Sequence, residues 1–197
     1  YAAMPGLLDL AATDNIELAS AASIAAAALN GFGLTADQTG HVADVLAESA
    51  ARTNATVSSL GNAFRYIAPV AHATGISMEE TAAAVGILSD AGISGTKAGT
   101  SLRGMLSRLA KPTEKSAELM AALGFNAYDS NGKMKSLSGI IGNLQTSMSG
   151  LTEQEKQNAL VTMFGQEALS GLLVLMEAGP QSIDELTNSY LGCEGAA

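Results

Sequence analysis

The stretch Gly75-Ile76-Ser77-Met78-Glu79-Glu80 has the pattern of one helix ending and another beginning, and this pattern predicts the helical organisation of the chain. Glycine adopts the left-handed conformation that ends a helix, and the apolar residue after it packs back on the last turn. Ser77 then caps the backbone N–H groups of a new helix, and Glu80 completes a capping box three residues on. The stretch therefore predicts two helices joined by a very short turn.

Similar stretches recur along the chain without a fixed period. They are Gly33-Leu34-Thr35, Gly92-Ile93-Ser94 and Gly150-Leu151-Thr152. Besides Ser77 with Glu80, capping boxes are predicted for Thr35 with Gln38, Thr152 with Glu155 and Ser182 with Glu185. Each cap contributes only about 1 kcal/mol, so the caps fix helix boundaries more than they supply stability. Many helices with very short connections are expected.

Apolar residues at three- and four-residue spacing support helices between these boundaries. Three such stripes consist of Val57, Leu60, Phe64, Ile67 and Ala71; of Leu102, Met105, Leu106 and Leu109; and of Leu137, Ile140, Ile141, Leu144 and Met148. The first stripe continues past Pro69, which removes only its own N–H bond, so one kinked helix is predicted there. The nearly all-apolar stretch 169–176 predicts a central helix.

Residues 125–136 are the one region where the helix pattern fails. Asp129-Ser130-Asn131-Gly132 separates two short stretches that contain Tyr128 and Met134. Asn-Gly between such stretches is a hairpin turn signal. Because an isolated two-stranded hairpin is marginal in water, this small β-hairpin is predicted to lie against helices.

The predicted fold is all-α, a multi-helix globular domain of about nine to eleven short helices with this one hairpin. The hairpin, residues 125–136, is predicted to connect an N-terminal helical lobe, residues 1–124, to a C-terminal helical lobe, residues 137–197. One continuous domain is the alternative. Because the sequence begins at Tyr1 and not at a methionine, we expect it to be part of a longer protein.

Composition and charge argue against nucleic-acid binding, a disulfide framework and membrane insertion. Ten basic residues against nineteen acidic residues leave a formal net charge of −9, which phosphate backbones and anionic membrane surfaces repel, so no nucleic-acid binding is expected. A single cysteine, Cys193, excludes an internal disulfide framework. No stretch offers the roughly 18 consecutive strongly apolar residues of a membrane span, so stable membrane insertion is not predicted.

His41, Asp44 and Glu48 are the best candidates for a metal or acid–base site. Their spacing places one imidazole and two carboxylates on one helix face. However, Glu48 lies one turn before Arg52, and an ordinary solvated ion pair explains the pattern better. One histidine without a second nitrogen ligand is also too little for zinc. We therefore predict no metal site and no cofactor.

Two further patterns are weaker. Cys193 with His72 or His41 would form a pair of thiol nucleophile and base. However, an adjacent carboxylate raises the pKa of a thiol and so lowers its reactivity. The stretch Gly95–Ser101 is glycine-rich and opens a helix, yet it lacks the residue order of a phosphate-binding loop. A flexible turn, with close helix packing allowed by Gly95 and Gly99, is the preferred interpretation.

Five of the ten basic residues fall within one short stretch of this acidic chain. They are Lys97, Arg103, Arg108, Lys111 and Lys115. At about 100° per residue, Arg103, Arg108 and Lys111 point away from the apolar stripe of their helix. The five residues are candidates for contact with an acidic partner or with a neighbouring copy of the same chain. A solvated helix back is the alternative.

Nine blocks of sequence occur in a characteristic order. They are Met4–Ala12, Ala28–Leu34, His41–Ala47, Tyr66–Ala71, Ala91–Arg103, Leu109–Thr113, Asp129–Lys135, Ser149–Glu153 and Phe164–Ala168. In this order they are similar to the core region shared by many phage and prophage tail tape measure proteins. No single block is specific, but the ordered series, which covers the chain from about Met4 to about Leu191, is.

The resemblance implies a long, mostly helical structural protein in the lumen of the growing tail tube, which sets tail length while tube subunits polymerise around it. It implies the tail tube protein, tail assembly chaperones and tail tip proteins as partners, with a homo-oligomer as a further option. The implied location is the virion tail, and the host cytoplasm during assembly.

The resemblance gives no catalytic residue, so an enzyme is not expected. The alternative is a peptidoglycan hydrolase module that acts during entry, since related proteins sometimes carry such modules. A glycosidase needs two carboxyl groups flanking a cleft, whereas the acidic residues here are scattered over helix starts.

Overall fold

Ten α-helices make up most of residues 4–197, the part of the chain that the computed structural model describes. They are α1 (Met4–Thr13), α2 (Leu18–Phe32), α3 (Thr39–Arg52), α4 (Val57–Thr74), α5 (Met78–Asp90), α6 (Gly95–Ala110), α7 (Glu114–Leu123), α8 (Leu137–Ser147), α9 (Glu153–Phe164) and α10 (Gln166–Leu191), with a 3-10 turn at Ala36–Gln38 before α3. The predicted helical content is confirmed. Tyr1 lies outside the described residues.

The predicted short turns form at the glycine-ended helices. Gly75, at the end of α4, has a φ of 80°, and the following Ile76 N–H donates to the Ala71 carbonyl at 2.9 Å. This geometry satisfies carbonyls that the helix end would leave free. Ser77 and Glu80 then cap α5 reciprocally, at 3.1 Å and 3.0 Å. The turn and the capping box are both confirmed.

Two other predicted capping boxes also form. They join Thr35 with Gln38 and Thr152 with Glu155. The backbone N–H and the hydroxyl of Thr152 donate to the Glu155 carboxylate at 2.8 Å each, and these bonds hold the pKa of that carboxyl below its usual range.

The fourth predicted box, Ser182 with Glu185, is wrong. Helix α10 is kinked at Gly179, and the helix resumes at Pro180, which suits a first helical position. Ser182 therefore lies inside the new turn, where its hydroxyl donates to the Ala178 carbonyl at 2.9 Å.

The kink in α10 is held by a side chain from α8. Pro180 has no N–H to donate to the Met176 carbonyl, the usual partner four residues earlier. Gln145 Nε2 donates to that carbonyl instead, at 2.6 Å. This bond joins α8 to α10 at the point where the backbone of α10 is interrupted.

Helix α4 runs from Val57 to Thr74 through Pro69, so the prediction of one helix across the proline is confirmed. Its apolar stripe is buried, as are the predicted stripes of α6 and α8. The helix spacing of the apolar residues therefore identifies the inward faces correctly.

The β-hairpin predicted for residues 125–136 is not formed. Within residues 4–197 there is no strand, and the β pairing there is one isolated antiparallel bridge between Tyr128 and Met134. Two backbone bonds of 2.8 Å flank this bridge, from the Asp129 N–H to the Lys133 carbonyl and from the Lys135 N–H to the Ala127 carbonyl. The Asp129 carboxylate accepts two further backbone N–H groups of the turn, at 2.8 Å and 3.0 Å, so side-chain bonds share the turn with a pairing too short to form strands. Helix α8 then begins at Leu137, which leaves no length for a second strand.

The helices cross where small residues let their backbones approach. The most extensive contacts join α4 with α6, α10 with α5, and α2 with α4. At the α4–α6 crossing, a Cβ atom on Gly99 would lie 2.5 Å from the Ala63 carbonyl oxygen. At the α6–α10 crossing, a Cβ atom on Gly171 would overlap the Ser101 hydroxyl. The close packing predicted at Gly99 is confirmed.

Two long-range bonds connect distant parts of the chain. The Glu80 carboxylate, besides its capping role, accepts the Leu137 N–H at 2.8 Å and so links α5 to the start of α8. Tyr190, near the end of α10, donates to the Ser49 hydroxyl of α3 at 3.3 Å. The division into two lobes stays a prediction.

None of the helices described here combines the length and apolar character that crossing a bilayer requires.

Candidate partner-binding groove

Helix α6 places basic side chains opposite its buried stripe. Its apolar residues face α4 and α10, which fixes the orientation of the helix. Lys97 and Arg103 are exposed, and Arg108 is half-buried. Lys111 and Lys115, beyond the end of α6, are exposed as well.

Three of the five basic residues line one groove of about 740 Å³. Arg103, Arg108 and Lys111 form the α6 side of this groove, which we call the basic groove. Tyr66 of α4, whose exposed fraction is 39%, and the turn between α9 and α10 form the other sides. Lys97 and Lys115 do not line it. The structure therefore gathers three of the predicted contact residues and leaves two apart, and their contact with a partner stays a prediction.

Within residues 4–197, no ion pair neutralises the basic side chains of the groove. Glu167 also lines the groove, but it forms no ion pair within 4.0 Å with any of them. The pairs found in residues 4–197 are His41 with Glu79, Arg52 with Glu48, and Lys156 with Glu153. The groove thus carries three cations and one carboxylate on a chain whose net charge is −9.

The turn between α9 and α10 leaves room for the Arg108 side chain. Gly165 has a φ of 87° and a ψ of 163°, which favours glycine. A Cβ atom at this position would lie 3.6 Å from Arg108 Nη2. The other terminal nitrogen of Arg108 donates to the Thr113 hydroxyl at 3.4 Å, a long bond that leaves most of the guanidinium donors free.

Sequence reasoning missed Tyr66 and the α9–α10 turn as parts of this surface. They lie far from α6 in the sequence, and only the helix crossings bring them together. One feature of the sequence could have indicated the turn: the block Phe164–Ala168 contains Gly165, which separates two helices.

The three candidate metal ligands have three separate partners. His41 Nε2 lies 2.6 Å from Glu79 Oε1 on α5. Asp44 accepts two backbone N–H groups of the C-terminal segment, at 2.9 Å and 2.8 Å. Glu48 pairs with Arg52, which confirms the predicted ion pair. In residues 4–197 no three such side chains are placed to share a metal ion. His41 and Asp44 instead connect α3 to its neighbours, and the pair of Glu48 with Arg52 lies within α3.

Cys193 is buried, with an exposed fraction of 8%, and its thiol donates to the Tyr190 carbonyl at 2.9 Å. Burial and the nearby carboxylates of Asp44 and Glu48 raise the pKa of the thiol to about 11. A thiol with this pKa stays protonated at neutral pH and is a poor nucleophile. The thiol hydrogen bond thus goes to a backbone carbonyl, while the His72 ring lies against Gly33 at the end of α2 and His41 lies against Glu79.

The raised pKa of Cys193 predicts a loss of stability at alkaline pH. The unfolded thiol ionises near pH 9.0 and the folded thiol near pH 11. The contribution of the thiol is fully present below pH 9 and is lost as the pH rises to 11, because only the unfolded state gains from ionisation in this range. Between pH 8 and pH 10.5, the free energy of unfolding of Cys193→Ala should therefore fall by roughly 1–2 kcal/mol less than that of the wild type. Urea unfolding of both proteins at pH 8 and pH 10.5 measures these free energies. If the difference between the variant and the wild type is the same at both pH values, the prediction is wrong.

The described residues form an all-helical fold, and three of the ten basic side chains of the chain line one groove on it. The family described as phage-related minor tail protein matches residues 1–165, and the chain belongs to this family. The family is one of phage tail proteins.

Two relatives place the chain more closely. It is 51% identical to the tape measure protein of Pneumococcus phage Dp-1 over 195 residues, which cover 99% of this chain and 17% of that protein. It is 35% identical to the probable tape measure protein of Escherichia phage P2 over 197 residues, which cover 98% of this chain and 24% of that protein. The chain thus spans less than a quarter of the length of either relative. No solved structure matches it.

Proposed function

We propose that the chain is a folded helical domain of a tape measure protein, the protein that sets tail length while tube subunits polymerise around it. The observation that supports this most strongly is the alignment of both relatives over nearly the whole chain, at 51% and 35% identity. Because the chain spans 17% and 24% of those relatives, the ruler activity belongs to the longer protein. This domain contributes one folded part of it.

The proposed location is the lumen of the tail tube, after assembly in the host cytoplasm. The proposed partners are the tube protein, the tail assembly chaperones and the tail tip proteins. Lys97, Arg103, Arg108, Lys111 and Lys115 are the proposed contact residues. Four of them are exposed and Arg108 is half-buried, and none forms an ion pair among residues 4–197, which supports this assignment.

We infer a structural rather than an enzymatic role for this domain. Several of its carboxylates already hold the fold together: Glu80 and Glu155 cap helices, and Asp44 binds the C-terminal segment. A glycosidase instead requires two carboxyl groups aimed into one cleft. No observation favours the peptidoglycan hydrolase alternative.

Mass spectrometry of purified phage particles and of isolated tails tests the proposed function. Peptides from this domain are expected in both preparations. Capsids without tails, from the same lysate, are the control and should lack them. Absence of the peptides from both virions and tails would refute a role as a tail component.

A further inference from the structure

We propose that the basic groove binds an acidic protein segment whose carboxylates contact Arg103 and Arg108 together. This inference rests on the proposed function only in taking the partner to be another tail protein. It goes further by assigning the chemistry of the contact and the residues that make it. Lys111 contributes a third positive charge at the end of α6.

Charge is the first argument. The chain has a net charge of −9, yet three of its ten basic residues line this one groove. A guanidinium presents parallel N–H donors that match the two oxygens of a carboxylate, and such charge-assisted bonds are among the stronger ones in proteins. Because Arg103 and Arg108 form no ion pair within 4.0 Å in the described residues, no such pair must break when a partner binds.

Shape is the second argument. The groove measures about 740 Å³, more than a single ion fills, and Tyr66 forms part of its wall with 39% of its surface exposed. Tyrosine is enriched at protein interfaces because it combines a large apolar ring with a polar tip. The hydroxyl groups of Thr100 and Ser107 also line the groove and supply further polar contacts. An extended peptide segment fits this combination better than a small anion does.

The groove favours separate carboxylates over a continuous phosphate backbone. Glu167 lies in its lining and would repel a nucleic-acid strand that followed the groove. The net charge of −9 adds repulsion at longer range. A protein segment can place its carboxylates beside the arginines and an uncharged residue beside Glu167.

Fluorescence anisotropy with a labelled ten-residue peptide of alternating Glu and Ser tests the proposal on the 197-residue chain. The double variant Arg103→Glu/Arg108→Glu is expected to bind this peptide about 10-fold more weakly or worse. The matched control is Arg65→Glu/Lys133→Glu, which makes the same change in net charge at two exposed positions that do not line the groove. Its affinity should stay within about 2-fold of wild type. A peptide with Gln in place of Glu should not bind.

Several outcomes would overturn the proposal. One is equal weakening by the two double variants, which would show that net charge alone drives binding; another is no binding by the wild type. If a DNA duplex binds more tightly than the peptide, and if this binding depends on Arg103, the groove is a nucleic-acid site. Salt-sensitive dimers that Arg103→Glu/Arg108→Glu dissociates would assign it to a second copy of this chain. Because Arg108 is half-buried, Arg103→Glu/Lys111→Glu, at two exposed positions, repeats the test should the first variant unfold. None of these results alters the mass spectrometry test of tail membership.

Discussion

Replacing Gly99 with alanine is expected to lower the free energy of unfolding by about 2–3 kcal/mol, the range typical of overpacked helix contacts. The new Cβ atom would lie 2.5 Å from the Ala63 carbonyl oxygen and 2.9 Å from its Cα atom. Both are backbone atoms, so no side-chain rotation relieves the overlap. Helices α4 and α6, which share the most extensive contact in the fold, must move apart. Urea unfolding followed by circular dichroism measures the change.

Gly104→Ala is the matched control for this prediction. Gly104 lies on the same helix, and a Cβ atom there would meet its nearest neighbour, the Cβ of Ala168, at an ordinary 3.9 Å. Alanine favours helix over glycine by up to about 1 kcal/mol, so this variant should be as stable as wild type or slightly more stable. Equal stability of Gly99→Ala and Gly104→Ala would contradict the close crossing of α4 and α6.

Tyr190→Ala is expected to cost about 3–5 kcal/mol, as large-to-small changes of buried aromatic residues do. Tyr190 is 0% exposed and is among the largest fully buried side chains of residues 4–197. Its burial raises the pKa of its hydroxyl, which donates to Ser49 on α3. The ring therefore anchors the end of α10 to a helix from early in the chain. Loss of the ring leaves a cavity at this junction.

The variant Tyr190→Phe distinguishes the contribution of the ring to stability from that of the hydroxyl. It keeps the buried ring and removes one long hydrogen bond of 3.3 Å, so its expected cost is about 1 kcal/mol. Thermal unfolding of the two variants beside wild type distinguishes them. A cost below about 1 kcal/mol for Tyr190→Ala would show that the end of α10 does not pack on α3.

Helix boundaries are the part of this fold that the sequence predicts best. The turn at Gly75 and the box of Ser77 with Glu80 depend only on neighbouring residues, so their chemistry can be recognised locally. The helix across Pro69 could be predicted because its apolar stripe continues on both sides of the proline. Each of these features forms as expected.

The two wrong local predictions have a common cause, which is competition from other bonds. Asn131-Gly132 has the composition of a hairpin turn, but the Asp129 carboxylate binds the turn backbone and α8 follows too soon. Ser182 and Glu185 have the spacing of a capping box, but α10 has already resumed at Pro180. A spacing rule does not show which of two neighbouring signals begins the helix.

The groove could be predicted only in part. The periodicity of α6 places Arg103 and Arg108 away from the core, and the structure agrees. Tyr66 and Glu167 join them through the contacts of α6 with α4 and α10, which no local pattern specifies. Glycine positions such as Gly99 indicate that a close crossing exists, but not that Ala63 is the partner.

Tail length should depend on the number of copies of this domain if the parent protein is a ruler. A second copy of this domain, inserted in frame into the gene of the parent protein, should lengthen the tails seen by electron microscopy. The increment should lie between about 40 Å, the diameter of a compact domain of this size, and about 300 Å, the length of one continuous helix. Its value would show whether the domain stays compact inside the tube. Assembled tails of unchanged length would contradict a ruler function for the protein that contains this chain.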